Sequence, residues 1–128
     1  MVRIEKKAGK SGAYLQGDNL KYIASLTLSG FHVIDLDAFG VPFAQLEQIW
    51  NRLRTDQRIA FTFIQSGMGQ LPKGLLSSLG ITREMSSKCP ALFNRNGFEK
   101  LKAYLSINGV RQIQYLQFDR KIYGTFRL

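Results

Sequence analysis

The stretch Asp35-Leu36-Asp37-Ala38-Phe39-Gly40-Val41-Pro42 comes closest to a chemical site in this sequence. Two carboxylates two positions apart, Asp35 and Asp37, can accept hydrogen bonds from an exocyclic amine. The neighbouring ring of Phe39 can stack on a heteroaromatic base, and Gly40 lets the backbone approach a ligand closely. That set suits methylation of an amino group. The same residues also have a purely structural reading, in which Asp37 caps a turn, Phe39 packs on a sheet and Gly40 supplies a positive φ.

Other chemistry-bearing residues are sparse. His32 is the single histidine and has no serine or cysteine placed by sequence to build a triad, so it reads as structural at the start of a buried strand. Cys89 is the single cysteine, which excludes an internal disulfide and, on ligand count, a structural zinc site; it too reads as structural. Gly9-Lys10-Ser11 imitates the end of a phosphate-binding P-loop, but the first glycine of that motif would fall at Ile4 and no helix follows.

The charge balance points to a polyanion. Lys and Arg number 18 against 9 Asp and Glu, a net charge of +9 over 128 residues, and a small basic domain attracts nucleic acid. Lys6, Lys7, Lys10, Arg83, Lys88 and Arg95 are candidates for a phosphate-binding surface, with a merely solvated charged face as the alternative. No apolar run approaches the roughly 20 residues of a membrane span. The opening Met-Val-Arg-Ile-Glu-Lys-Lys holds no secretory signal, so a cytoplasmic protein without a membrane partner is expected.

These residues must be carried by one domain, 1–128, since the length suits a single core and no repeat or linker divides it. Val2 to Lys6 alternates apolar and charged residues, and Ala13 to Gln16 is a second short candidate strand. Asp18 or Asn19 can cap a helix with Leu20, Ile23 and Ala24 on one face, stopped by Ser29-Gly30. Phe31 to Leu36 has the apolar run of an interior parallel strand that empties into the acidic stretch. Pro42 suits a first helical turn, and Phe43, Leu46, Ile49 or Trp50, and Leu53 share a helical face. Arg58 to Ile64 reads as a second buried strand, with Gln65 to Gly69 as the loop at its carboxyl end. Leu71 to Leu79 predicts a helix with Gly80 as its stop, whereas Ile81 to Phe93 gives no clear signal. Phe98, Leu101, Tyr104 and Leu105 predict a helix ending at Asn108-Gly109. Ile113 to Phe118 and Ile122 to Leu128 predict a closing antiparallel hairpin. Tyr14, Phe61 and Phe63 are most simply core. Strands alternating with helices indicate an open α/β sheet.

With the acidic stretch on such a strand, the chain resembles the class I S-adenosylmethionine-dependent methyltransferases, especially the tRNA guanosine dimethyltransferases with their Asp-x-Asp-Pro-Phe-Gly-x-Pro signature. Asp35, Asp37, Phe39, Gly40 and Pro42 match that pattern, while Ala38 stands where the family has proline, a change expected to loosen the loop. The motif resemblance covers roughly Ile4 to Pro42, and beyond it only the order of elements agrees. It implies a Rossmann-like, mostly parallel sheet with a C-terminal antiparallel hairpin and S-adenosylmethionine as cofactor. It also implies Asp35, Asp37, Phe39, Gly40 and Pro42 as the catalytic set, acting on an amino group of a base in RNA or DNA. By the same resemblance Glu5 would hold the cofactor's ribose hydroxyls, and Asp18 or Asn19 would accept from its adenine amino group; for these two a helix N-cap is the competing explanation.

The family's first strand and its Gly-rich turn have no counterpart before Val2, so the chain reads as a shortened or N-terminally truncated member. Either the Val2 strand shifts inward to cover the strand at Phe31 to Leu36, or a second copy of the chain pairs with that edge as a homodimer. A non-catalytic nucleic-acid-binding or assembly domain that has lost the cofactor is the alternative function.

Overall fold

A computed structural model describes residues 4–5, 15–16, 18–65 and 69–128. It is an α/β arrangement built around a four-stranded open sheet. Two very short strands, β1 (Ile4–Glu5) and β2 (Leu15–Gln16), pair in parallel as a separate two-stranded unit beside helix α1 (Asn19–Ser25). A 3₁₀ turn at Leu28–Gly30 leads into strand β3 (Val33–Leu36), and helix α2 (Phe43–Ile49) continues through a second 3₁₀ turn at Trp50–Arg52. Then come strand β4 (Arg58–Ile64), helices α3 (Lys73–Ser78), α4 (Arg83–Lys88), α5 (Pro90–Phe93) and α6 (Gly97–Ile107), and the hairpin β5 (Ile113–Phe118) and β6 (Lys121–Arg127).

The strand order is β3-β4-β6-β5. Strand β3 is parallel to β4, and β6 is antiparallel to both β4 and β5. Three strands therefore run in one direction, but only one neighbouring pair is parallel, because the reversed β6 is inserted between β4 and β5. The sheet is mixed at the level of its hydrogen bonds.

Each cross-strand pair shares a face, and each strand alternates faces along its length. Leu36, Ile59, Phe61, Phe63, Ile122 and Phe126 lie on one face and form the core with Phe43, Leu46 and Ile49 of α2, Leu75 of α3 and Leu101, Tyr104 and Leu105 of α6. Burying one such Leu or Phe side chain stabilises the fold by about 1.5–3 kcal/mol, so this face carries most of the folding free energy. The other face holds Val33 and Asp35, Arg58 to Ile64 at alternate positions, Lys121, Tyr123, Thr125 and Arg127, and Gln114, Leu116 and Phe118. Val33, Leu116, Phe118 and Tyr123 are solvent-exposed there while Thr62 of the central strand is buried, and no hydrophobic cluster covers this face among the described residues.

Several expectations are corrected. The interior strand predicted at Phe31–Leu36 is a four-residue strand at the sheet's end, with Val33 56% exposed, because the described residues supply a partner for one of its edges only. Strand β1 does not shift inward to cover that edge; it pairs with β2. Helix α1 stops at Ser25, before Ser29-Gly30, since Leu26 is already extended and the Leu26 amide donates to the Tyr22 carbonyl. The region Ile81–Phe93 folds as two short helices that bury no residue, which is why no apolar periodicity announces them; Thr82 caps α4 and Pro90 begins α5. Tyr14 and the loop centre Ser66-Gly67-Met68 lie outside the described residues. The predicted helices at Pro42–Leu53, Leu71–Leu79 and Gly97–Ile107 are present, as are the strand Arg58–Ile64 and the hairpin.

Candidate functional site

The loop from Asp35 to Pro42 leaves the carboxyl end of β3 and is fixed at both ends. Leu36 is buried in the core, and Pro42 is fully buried at the start of α2, where its carbonyl accepts from the Leu46 amide. Between them the Gly40 carbonyl accepts from the Ile64 amide at 2.8 Å, which ties the loop to the end of β4. Gly40 has φ +108°, a conformation that side chains rarely adopt. The Ala38 amide donates to the Leu36 carbonyl at 2.8 Å and Ala38 is buried. The loop thus uses an Ala38 N–H that proline lacks.

This anchoring leaves Phe39 at the tip with its whole side chain in solvent, 102% exposed. An aromatic ring held by a braced loop yet touching nothing is available to stack. The packing of Phe39 on the sheet, one of its two sequence readings, is thereby excluded. Asp35 and Asp37 are both solvent-accessible, yet protein on one side of Asp35 disfavours its charged form. This burial first, and repulsion from Asp37 second, push the Asp35 carboxyl above its ordinary value. The Asp35 side chain belongs to the open face of the sheet, in line with Ala60 of β4 and Thr125 of β6. The negative charge of Asp37 also reaches Lys121, a secondary contribution to raising that ammonium's pKa, after its hydrogen bond to Tyr123.

The residues assigned to a cofactor gather less well. The side chain of Glu5 lies outside the described residues; its backbone is the second residue of β1, opposite Gln16. Asp18 is the N-cap of α1, with Oδ1 accepting from the Leu20 amide at 2.9 Å, and Asn19 is the first residue of the helix. Asp18, Lys21, Tyr22 and Ser25 line a shallow open depression, and Asn19 is not part of it. Among the described residues, then, these positions do not form a pocket fitted to S-adenosylmethionine, and a helix cap accounts for Asp18.

His32 is exposed, not buried; its carbonyl accepts from the Arg58 amide at 2.9 Å and starts the β3–β4 pairing. Cys89 is exposed as well, and its structural part is played by its backbone, which receives the amides of Leu92 and Phe93. Of the candidate phosphate-binding cations, Lys88 is paired with Glu84 at 2.6 Å, Arg83 and Arg95 are exposed, and Lys6, Lys7 and Lys10 lie outside the described residues. Among the described residues no group of three or more His, Cys, Asp or Glu could hold a metal ion, and no helix is long and apolar enough to cross a membrane.

Sequence reasoning missed Gln57, which is 2% exposed. Its Nε2 donates to the carbonyls of Leu28 at 2.7 Å and Phe31 at 2.6 Å, while its Oε1 accepts from the Arg54 amide at 2.8 Å. Gln57 so fixes the segment that delivers β3 to the sheet and, through it, the acidic loop. A lone glutamine before a strand carries no sequence signal of such a role. No protein-family model matches the sequence, and no curated protein matches it significantly.

Proposed function

We propose that the chain is a methyltransferase-like domain that engages an amino-bearing base of a nucleic acid through the 35–42 loop, with S-adenosylmethionine as the methyl source that its sequence resemblance implies. The observation that carries this reading is the fully exposed Phe39 on a braced loop beside two carboxylates. A base stacked on that ring would present its edge to Asp35 and Asp37, and a carboxylate accepts from an exocyclic amino group without having to form a covalent bond to it. Orientation is what such a reaction needs most from the protein, because the donor methyl is already activated. The loop supplies orientation: Gly40 and Pro42 hold its frame, and Phe39 and Asp37 face outward.

A second reading, a non-catalytic nucleic-acid-binding domain, is favoured by one observation. Asp18 is committed to its helix cap and the described residues make no fitted cofactor pocket. Calorimetric titration with S-adenosylmethionine, followed by a methyl-transfer assay on RNA and DNA, separates the two. Saturable binding near micromolar, about 8 kcal/mol, with transfer abolished by Asp37→Ala in a folded protein supports the enzyme. Absence of cofactor binding overturns it and leaves the binding domain.

A further inference from the structure

The sheet end opposite the acidic loop carries a basic cavity of about 570 Å³ on the open face. Its wall includes Arg58, Arg111 and Arg127, with Gln112, Gln114 and Thr125 between them. Arg58 and Arg127 are direct cross-strand partners in the β4–β6 register, so two like charges are held side by side. That placement is unfavourable by itself. Among the described residues no Asp or Glu side chain lines the cavity and none of the three guanidiniums has an acidic side-chain partner, although Leu128, with its terminal carboxylate, also lies in the wall. The Thr125 hydroxyl oxygen in the same wall is shielded from solvent and has no hydrogen-bond partner among the described residues. Clustered guanidiniums with the exposed amide groups of Gln112 and Gln114 beside them make a site for phosphate oxygens.

The same face continues toward the acidic loop. Strand β4 spans seven residues from Arg58 to Ile64, or roughly 20 Å. At its far end Phe118 and Tyr123 meet edge to face at 6.3 Å, and the Lys121 ammonium sits 4.7 Å over the Tyr123 ring. Phe118 and Tyr123 are exposed. We propose that this sheet face binds a single-stranded nucleic acid, with backbone phosphates in the Arg58–Arg111–Arg127 cavity and bases stacked on the exposed Tyr123 and Phe118. Charge complementarity selects the occupant: a protein of net charge +9 offers phosphates a basic cavity and bases an aromatic pair. A duplex keeps its bases stacked inside and cannot use the aromatic pair. The inference shares with the proposed function the class of partner and does not require methyl transfer.

Fluorescence anisotropy with labelled 12-nucleotide single strands of RNA and DNA and a matched duplex tests it, across 50–200 mM salt. Single strands are expected to bind more tightly than the duplex. Tyr123→Ala and Phe118→Ala should each weaken them at least about fivefold. Arg111→Gln with Arg127→Gln should weaken them at least about tenfold and flatten the logarithmic salt slope by about 1.4. Lys73→Gln on α3, an exposed cation removed singly and compared with Arg111→Gln alone, should leave that slope unchanged. All these side chains are exposed, and circular dichroism checks each fold; if the Arg127 substitution perturbs β6, Arg111→Gln alone, outside the strands, reports a slope change of about 0.7. Equal loss in the α3 control, no effect of the aromatic substitutions, or equally tight duplex binding overturns the proposal. So does pyrophosphate binding at the arginines without any single-strand binding, which would mark a small-anion site. Failure of the methyl-transfer assay leaves these readouts untouched, so the two proposals fail separately.

Discussion

Gly124 of β6 sits directly opposite Phe61 of β4, and a Cβ placed on Gly124 would lie 2.2 Å from Cζ of the Phe61 ring. Phe61 is among the largest fully buried side chains, so its ring has no free space into which it could retreat. The missing side chain at Gly124 is what lets the reversed strand β6 lie in the middle of the sheet. Gly124→Ala is expected to destabilise the protein by about 1–3 kcal/mol, the usual cost of overpacking a filled core. A shifted urea midpoint with an unchanged slope checks it.

Gln57 satisfies two carbonyls and one amide in a buried setting. Gln57→Ala strands these groups and should cost about 3 kcal/mol. Gln57→Leu should be no milder, because the backbone groups stay unpartnered whatever apolar volume is restored. Equilibrium unfolding of both variants provides the comparison, and amide exchange at Val33–Leu36 should accelerate in each.

Phe39 contributes nothing to packing. Phe39→Ala should therefore change stability by no more than about 0.5 kcal/mol while weakening binding of an unpaired base roughly 5- to 100-fold. Thermal melting and anisotropy on the same sample give both numbers, and a large loss of stability would contradict the loop geometry.

Asp35 gives the fold a defined pH response. Its carboxyl is raised in the folded state, so the native protein holds this proton more tightly than the unfolded chain, and its contribution to stability falls as pH rises through the interval between the ordinary carboxylate value and the raised one. Asp35→Asn should raise the melting temperature at pH 7, with the gain vanishing at pH values below the ordinary carboxylate range. Asp37→Asn should bring the Asp35 pKa part of the way back down, which carboxyl NMR titration measures directly.

Local order was written plainly in this sequence. Phe43, Leu46 and Ile49 specify a helix face by spacing alone, Arg58–Ile64 specifies a strand by its run of apolar and β-branched residues, and Asp35 to Pro42 specifies a loop with two acids, a ring and a glycine. These are properties of neighbours in the chain, so a window of a dozen residues contains them. The tertiary structure alone decided that β6 is inserted between β4 and β5, that β3 ends the sheet among the described residues, and that Val33, Asp35, Tyr123 and Phe118 share one face and are exposed on it. It also decided that Arg58, Arg111 and Arg127 converge and that Gln57 reaches back to Leu28 and Phe31. Alternation with period two tells a strand that it has two faces. Which one is buried depends on register and strand order, and those are set by pairing between segments tens of residues apart, whose compatibility, such as Gly124 against Phe61, exists only once they meet.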